Sequence, residues 1–201
     1  MRPDATFQLG KDDALIVVDV QNDFLAGGAL AVTDGDAVIA PLNCQIERFS
    51  RAGLPLIFSR DWHPPNHCSF AANGGSWPSH CVAHSRGAQF SSALIVPESA
   101  RIVSKATRPD SEAYSALQQT GLTAWLRSHG VRRVFVGGLA TDYCVRATVL
   151  DLLDAGFATV LLIDAVRAVD ARPGDGEAAL REMIAAGAIP GRSGGSGMRP
   201  Q

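Results

Sequence analysis

The chain has 201 residues, 46% of them apolar and 19% charged, with a formal net charge of −2. That length supports one sizeable core in a single generous domain. The near-neutral balance, with no basic stripe, argues against nucleic acid as a partner, and no apolar run reaches the length of a membrane span. In chain order, Asp13 to Val20 holds Ala14-Leu15-Ile16-Val17-Val18, a β-branched run that predicts a strand buried on both faces. Gln21 to Gly35 reads as a loop. Asp36 to Ala52 carries Val38, Ile39, Leu42, Ile46 and Phe49 at helical spacing and stops at Gly53. Leu54 to Ser59 reads as a second strand. Arg60 to Ser92 is long, polar and rich in Gly, Pro, His and Asn; a loop of that length in a compact domain is functional or disordered. Ala93 to Val96 reads as a short strand or an extended connection.

Arg101 to Ser104 predicts a third main strand ending at Lys105, and Arg108 to Ala116 a loop or short helix. Leu122 to His129 predicts a helix closed by Gly130. Arg132 to Val136 is then a strand, and Asp142 to Ala155 a helix closed by Gly156. Thr159 to Ile163 is a further strand. Gly174 to Ala186 is an amphipathic helix through Ala178, Leu180, Met183 and Ile184. Strands alternating with helices predict an α/β fold: a three-layer α/β/α domain, doubly wound, with a mostly parallel sheet of about six strands. The expected domain runs over residues 1–189, and 190–201 reads as a flexible Gly/Ser/Pro-rich tail. Residues 1–13 carry charge and no apolar h-region, so no secretion signal is expected. Cys44, Cys68, Cys81 and Cys144 then read as reduced thiols of a cytoplasmic protein.

The chemically distinctive groups fall at one end of the predicted strands. Asp19 closes the first strand, Asp61 and His63 follow the second, Lys105 the third, and Cys144 the fourth across a turn. Ligands of open parallel sheets bind on that rim. Cys144 stands where a helical pattern begins (Val145, Val149, Leu152, Leu153), so unpaired N–H groups and the helix dipole favour its thiolate. Asp19, flanked by Val18 and Val20, is partly desolvated and suits a proton acceptor. Lys105 beside them supplies a charge stabiliser, and the three make an activated nucleophile. Asp61 and His63 project to one side of an extended segment. With one imidazole among His67, His80 and His84 they form a carboxylate–imidazole set for zinc, iron(II) or manganese(II); spacing leaves that third ligand open.

These residues sit in an ordered series of motifs. They are Val18-Asp19-Val20-Gln21-Asn22-Asp23-Phe24, Gly27-Gly28-Ala29-Leu30, Asp61-Trp62-His63-Pro64 with Asn66-His67 and Ser69-Phe70, and Trp77-Pro78-Ser79-His80-Cys81-Val82 with Gly87-Ala88. Lys105-Ala106-Thr107, Tyr114-Ser115-Ala116 and Gly138-Leu139-Ala140-Thr141-Asp142-Tyr143-Cys144-Val145 follow. The chain thereby resembles the nicotinamidase/pyrazinamidase branch of the isochorismatase-like cysteine hydrolase family over roughly residues 14 to 165. The resemblance implies Asp19, Lys105 and Cys144 as a catalytic triad, and Asp61, His63 and His80 as ligands of one divalent metal, zinc foremost, with iron or manganese as alternatives. It implies an oxyanion hole from the Ala140 and Cys144 N–H groups, and a cis peptide between Ala140 and Thr141. Phe24, Leu30, Trp77, Tyr114 and Ala140 would surround a flat aromatic substrate.

The activity implied is metal-dependent hydrolysis of nicotinamide, and of pyrazinamide, to the acid and ammonia through a thioester, in NAD salvage. Its partner is a small molecule, with no nucleic acid and no membrane, and a homodimer is compatible with it. The alternatives are a cysteine amidase for carbamoyl or ureido compounds, an isochorismatase-type vinyl-ether hydrolase, and a non-catalytic binding module on the same fold. Two departures from the family stand out: Ala106 replaces the usual Gly after the lysine, and His84 replaces a smaller residue. The methyl of Ala106 matters if that position needs positive φ.

Overall fold

The structure is a computed structural model and describes residues 7–194. One sheet runs in the order β3-β2-β1-β4-β5-β6. Its strands are β1 (Asp13–Val18), β2 (Leu56–Asp61), β3 (Arg101–Lys105), β4 (Arg133–Leu139), β5 (Ala158–Arg167) and β6 (Ile189–Gly191). Every strand pairing is parallel. Among the described residues, four α-helices cover it: α1 (Ile39–Arg51), α2 (Leu122–Ser128), α3 (Arg146–Asp154) and α4 (Asp175–Ala185).

Strand alternation divides the core into two layers. Leu15 and Val17 of β1 face Leu42, Ile46 and Phe49 of α1. Ile16 and Val18 face the other way, toward Leu122 and Leu126 of α2, Val149 and Leu152 of α3, and Met183 of α4. All six β1 side chains are buried, which explains the unbroken apolar run. A fully buried Leu, Ile or Val contributes roughly 1.5–3 kcal/mol, so β1 anchors both layers.

The strand order reverses between β1 and β4. In doubly wound sheets the crevice at the carboxyl ends of the strands, at that switch point, is where ligands bind. The two strands approach closely there because Gly138 adopts φ +127° and a Cβ on it would meet the Val18 carbonyl oxygen at 2.1 Å.

The architecture matches the expected one, and four local differences have physical causes. β4 and β5 run past their apolar segments, through a register shift between Val136 and Gly138. The helix expected from Asp142 begins instead with a wide turn, Thr141–Val145, in which the Val145 N–H donates to the Ala140 carbonyl at 3.1 Å; regular α-helix starts at Arg146. Residues 93–96 form neither a strand nor an extended connection: Ala93 lies in a turn closed by the Leu94 N–H donating to the Ser91 carbonyl at 3.1 Å. The expected domain limit at residue 189 is too early. β6 pairs Pro190 with Leu161 and Gly191 with Leu162, and the Ser193 N–H donates to the Asp164 carboxylate at 2.9 Å. The sheet thus claims the start of the expected tail; residues 195–201 lie outside the described residues. Among the described residues no helix is long and apolar enough to cross a membrane.

Candidate active site

The site is assembled where β1, β2, β3 and β4 end. After Val18 the chain turns out of the sheet at Asp19, with φ +49°. Asp19 keeps a bond from its N–H to the Ser59 carbonyl at 3.2 Å, and its carboxylate accepts the Ser59 hydroxyl at 2.7 Å. Lys105, the last residue of β3, is in register with Asp61, the last of β2, so the two side chains project together. The Lys105 ammonium contacts the Asp61 carboxylate, the Asp19 Oδ2 at 2.9 Å, the Cys144 Sγ at 3.3 Å and the Ala113 carbonyl at 3.3 Å. Asp19, Lys105 and Cys144, expected as a set, are therefore in one cluster.

All of these groups are buried, so desolvation and the neighbouring charges compete to set their ionisation. Burial raises the Asp19 carboxyl above its ordinary range, against the opposing pull of Lys105. Burial likewise pushes the Cys144 thiol well up, with Lys105 opposing. The direction is opposite to the thiolate expected from the helix start: burial favours the protonated thiol against the pull of the adjacent cation. For Asp61, burial acts upward, but the Lys105 ammonium overrides it and the carboxyl lies below its usual range. Lys105 is held as an ammonium, since Asp19 and Asp61 outweigh its own desolvation.

A second cluster shares Asp61. Donor atoms of Asp61, His63 and His80 lie within 4.8 Å of one another. The long His-rich loop that follows β2 is folded back on it. The His63 N–H donates to the Cys81 carbonyl at 3.0 Å and the Ala83 N–H to the His63 carbonyl at 2.8 Å, which brings His80 alongside. His63 Nδ1 faces the Ala106 carbonyl at 3.3 Å, and His80 Nδ1 faces the Pro78 carbonyl at 2.7 Å. Those carbonyls select the Nδ1–H tautomer and leave Nε2 as the lone-pair atom. His63 Nε2 is buried without a hydrogen-bond partner, and burial lowers the His63 pKa to about 4, keeping the ring neutral. A neutral imidazole with an orphaned lone pair, a second imidazole and an ionised carboxylate fit a divalent cation with open coordination positions.

The remaining histidines are placed differently. His67 is buried with both nitrogens engaged, by the Ser69 hydroxyl at 2.7 Å and the Ser111 carbonyl at 3.2 Å. His84 is exposed, with its ring edge-on to Trp62 at 5.1 Å, and its φ is +67°. Ala106 also has positive φ, +51°, so the condition under which its methyl matters is met.

Between the two clusters opens a small cavity. The expected substrate residues Phe24, Leu30, Trp77, Tyr114 and Ala140 all line it, together with Cys144, Asp61, His63 and His80. The Trp77 indole N–H donates to the Tyr114 hydroxyl at 3.1 Å. Glu112, Tyr143 and Val169 also line it and were not singled out from sequence. Tyr143 had a signal, standing beside Cys144 in the same motif. Val169 had none: its backbone N–H is held by the Asp142 carboxylate at 2.9 Å, a tertiary contact. The cis peptide lies between Leu139 and Ala140, not between Ala140 and Thr141, at the point where β4 ends.

A crevice of this kind, at the switch point of a doubly wound sheet, places the molecule among the α/β enzymes. The isochorismatase domain family matches residues 13–193, and the chain belongs to that family. It is 42% identical to the nicotinamidase of Escherichia coli (strain K12), over 87% of this chain and 92% of that protein. Among solved structures it is similar to the pyrazinamidase of Pyrococcus horikoshii in complex with zinc, at 49% identity and a TM-score of 0.87, covering 90% of this chain and 99% of the other. It is also similar to PnC1 from L. infantum in complex with nicotinate, at 37% identity and a TM-score of 0.83, covering 91% and 93%.

Proposed function

We propose that the chain is a nicotinamidase, a hydrolase that cleaves the carboxamide C–N bond of nicotinamide, and of pyrazinamide, to give the acid and ammonia. The observation that carries this reading is the single cavity shared by a buried thiol with its carboxylate and ammonium neighbours and by a metal-capable Asp–His–His group. Its aromatic walls, Phe24, Trp77, Tyr114 and Tyr143, suit a flat one-ring ligand. The relatives support the same substrate class.

Asp61, His63 and His80 would hold one divalent metal ion, zinc foremost. When bound, the ion supplies a Lewis-acidic anchor for the ring nitrogen of the substrate. The chemistry belongs to the other cluster. Asp19, more basic than an ordinary carboxylate, takes the proton of the neutral Cys144 thiol, and the sulfur attacks the amide carbon. The Ala140 and Cys144 N–H groups receive the oxyanion; one such donor is typically worth about 3 kcal/mol of barrier. Asp19 returns the proton to the nitrogen, the C–N bond breaks, ammonia leaves and a thioester remains. Asp19 then deprotonates water, which attacks the thioester; the C–S bond breaks, the acid is released and the thiol is restored. Lys105 holds both carboxylates and the sulfur in register throughout. The reading extends to a cytoplasmic setting, which goes with four unpaired cysteines, and to a homodimer, which light scattering tests.

The test is ammonia release from nicotinamide with and without a chelator, alongside Cys144→Ala. The expected result is turnover that falls with chelation and vanishes in the variant. Substantial turnover by Cys144→Ala would overturn the covalent route. Turnover of a ureido compound in preference to nicotinamide would favour the carbamoyl-amidase alternative.

A further inference from the structure

One buried polar side chain at the rim has no part in the chemistry above. Gln21 has no exposed surface. It lies two residues past Asp19, where the chain has left the sheet. The β1–β2 pairing ends at Val18 and Ser59, so the backbone of Asp61 on that edge has no strand beside it. The Gln21 amide takes the place of that strand. Its Oε1 accepts the Asp61 N–H at 2.8 Å, and its Nε2 donates to the Asp61 carbonyl at 2.8 Å. A primary amide offers one acceptor and two donors, and this pair reproduces the two-point contact of a neighbouring peptide group.

The second Nε2 proton goes to the Ala88 carbonyl at 3.0 Å. Ala88 belongs to the same loop as His80. Backbone pairing of Gln21 with Phe90 ties the same segment down again. One amide therefore fixes Asp61 on β2 and also the loop that delivers His80 to it. We infer that Gln21 is a positioning residue for the Asp61–His63–His80 metal site, acting as a side-chain substitute for a strand at the end of β2. This rests on the proposed metal-binding role of those three residues. Partners behind a metal ligand typically change metal affinity by roughly 10- to 100-fold when removed.

The test compares apo protein with Gln21→Met, similar in length but without the amide, and Gln21→Glu, of the same shape. The glutamate keeps an acceptor for the Asp61 N–H and loses both donations. Zinc affinity is measured by competition with a chromophoric chelator, the cobalt(II) spectrum is recorded, and apo thermal unfolding is followed. The expected result is a zinc dissociation constant raised roughly 10- to 100-fold with altered cobalt bands in both variants. His80→Ala serves as the reference for outright ligand loss. Affinity and cobalt bands equal to wild type, with only the apo melting temperature lowered, would make Gln21 purely structural and overturn the inference. Should Gln21→Met fail to fold, wild-type affinity in Gln21→Glu would overturn it equally. Wild-type protein that binds no zinc or cobalt would instead overturn the metal reading itself, and the inference with it.

Discussion

The Lys105 ammonium donates to the Cys144 sulfur at 3.3 Å from a position with almost no exposed surface. It is also the counter-charge for two buried carboxylates, Asp19 at 2.9 Å and Asp61. Truncating one member of a buried ion pair leaves an uncompensated charge, at a cost of about 3–5 kcal/mol. Lys105→Met is therefore expected to lower stability by about that amount, read as the urea midpoint at neutral pH. Its rate of ammonia release should fall roughly 100-fold or more, since loss of alignment alone reaches that scale. A variant as stable as wild type would mean that Asp19 and Asp61 are not held by this charge.

Asp19 sets the expected acid limb of the rate. Burial raises its pKa above the ordinary 3.8, and the reaction needs its ionised form. The rate should climb as pH rises through a midpoint above that ordinary value, and Asp19→Asn should lose roughly 100- to 10,000-fold. The stability effect has the opposite sign. With its folded pKa raised, Asp19 binds its proton more tightly in the native state. Its contribution is full below about 3.8 and is lost as pH rises through the folded pKa. Denaturation across that window should show Asp19→Asn free of this loss. An acid limb of kcat/KM unchanged in Asp19→Asn would remove Asp19 from the role of base.

How much of this was legible in sequence depends on where the information lies. β1 could be read because both of its faces are buried, which writes an unbroken apolar run. β6 could not: it is a three-residue edge strand, Ile189-Pro190-Gly191, and its proline and glycine look like tail. Edge strands tolerate both, since a proline there need not donate to the ladder. Asp19, Lys105 and Cys144 could be placed on one rim because each ends or follows a strand. Their protonation could not, because the helix-start argument for a thiolate omits how deeply the site is enclosed. Gln21 and Asp142 escaped for a related reason. Each serves backbone groups far along the chain, Asp61 and Ala88 in one case and Val169 and Asp170 in the other.

Ala106 offers a stability test that follows from the sequence departure. Its φ is +51°, where an L-residue with a Cβ is strained by about 1–2 kcal/mol. Glycine removes that strain and returns part of the gain through the entropy of the unfolded chain, about 0.4–1 kcal/mol. Ala106→Gly should be more stable by about 0.5–1 kcal/mol, a rise in Tm of roughly 1–4 °C for a domain of this size. A lower Tm would show that the methyl, which is buried, contributes more by packing than it costs in strain. The Ala106 carbonyl also faces His63, so zinc affinity measured on the same variant reports whether the loop has shifted.

The histidines separate ligands from bystanders most directly. His80 contributes a donor atom to the cluster with Asp61 and His63, whereas both nitrogens of His67 are already bonded within the protein and His84 lies exposed against Trp62. His80→Ala should lower zinc content after dialysis to a small fraction of wild type and raise KM for nicotinamide, because the anchor for the ring is lost. His84→Ala should keep its zinc, since exposed ring contacts contribute little to a buried site. His67→Ala should keep most of its zinc but lose stability, because the Ser69 hydroxyl and Ser111 carbonyl would lose their buried partner, at about 1–3 kcal/mol for an unsatisfied group. Metal analysis and thermal unfolding of the three variants side by side distinguish these outcomes. Zinc loss in His67→Ala equal to that in His80→Ala would require His67 to leave its hydrogen bonds and join the metal.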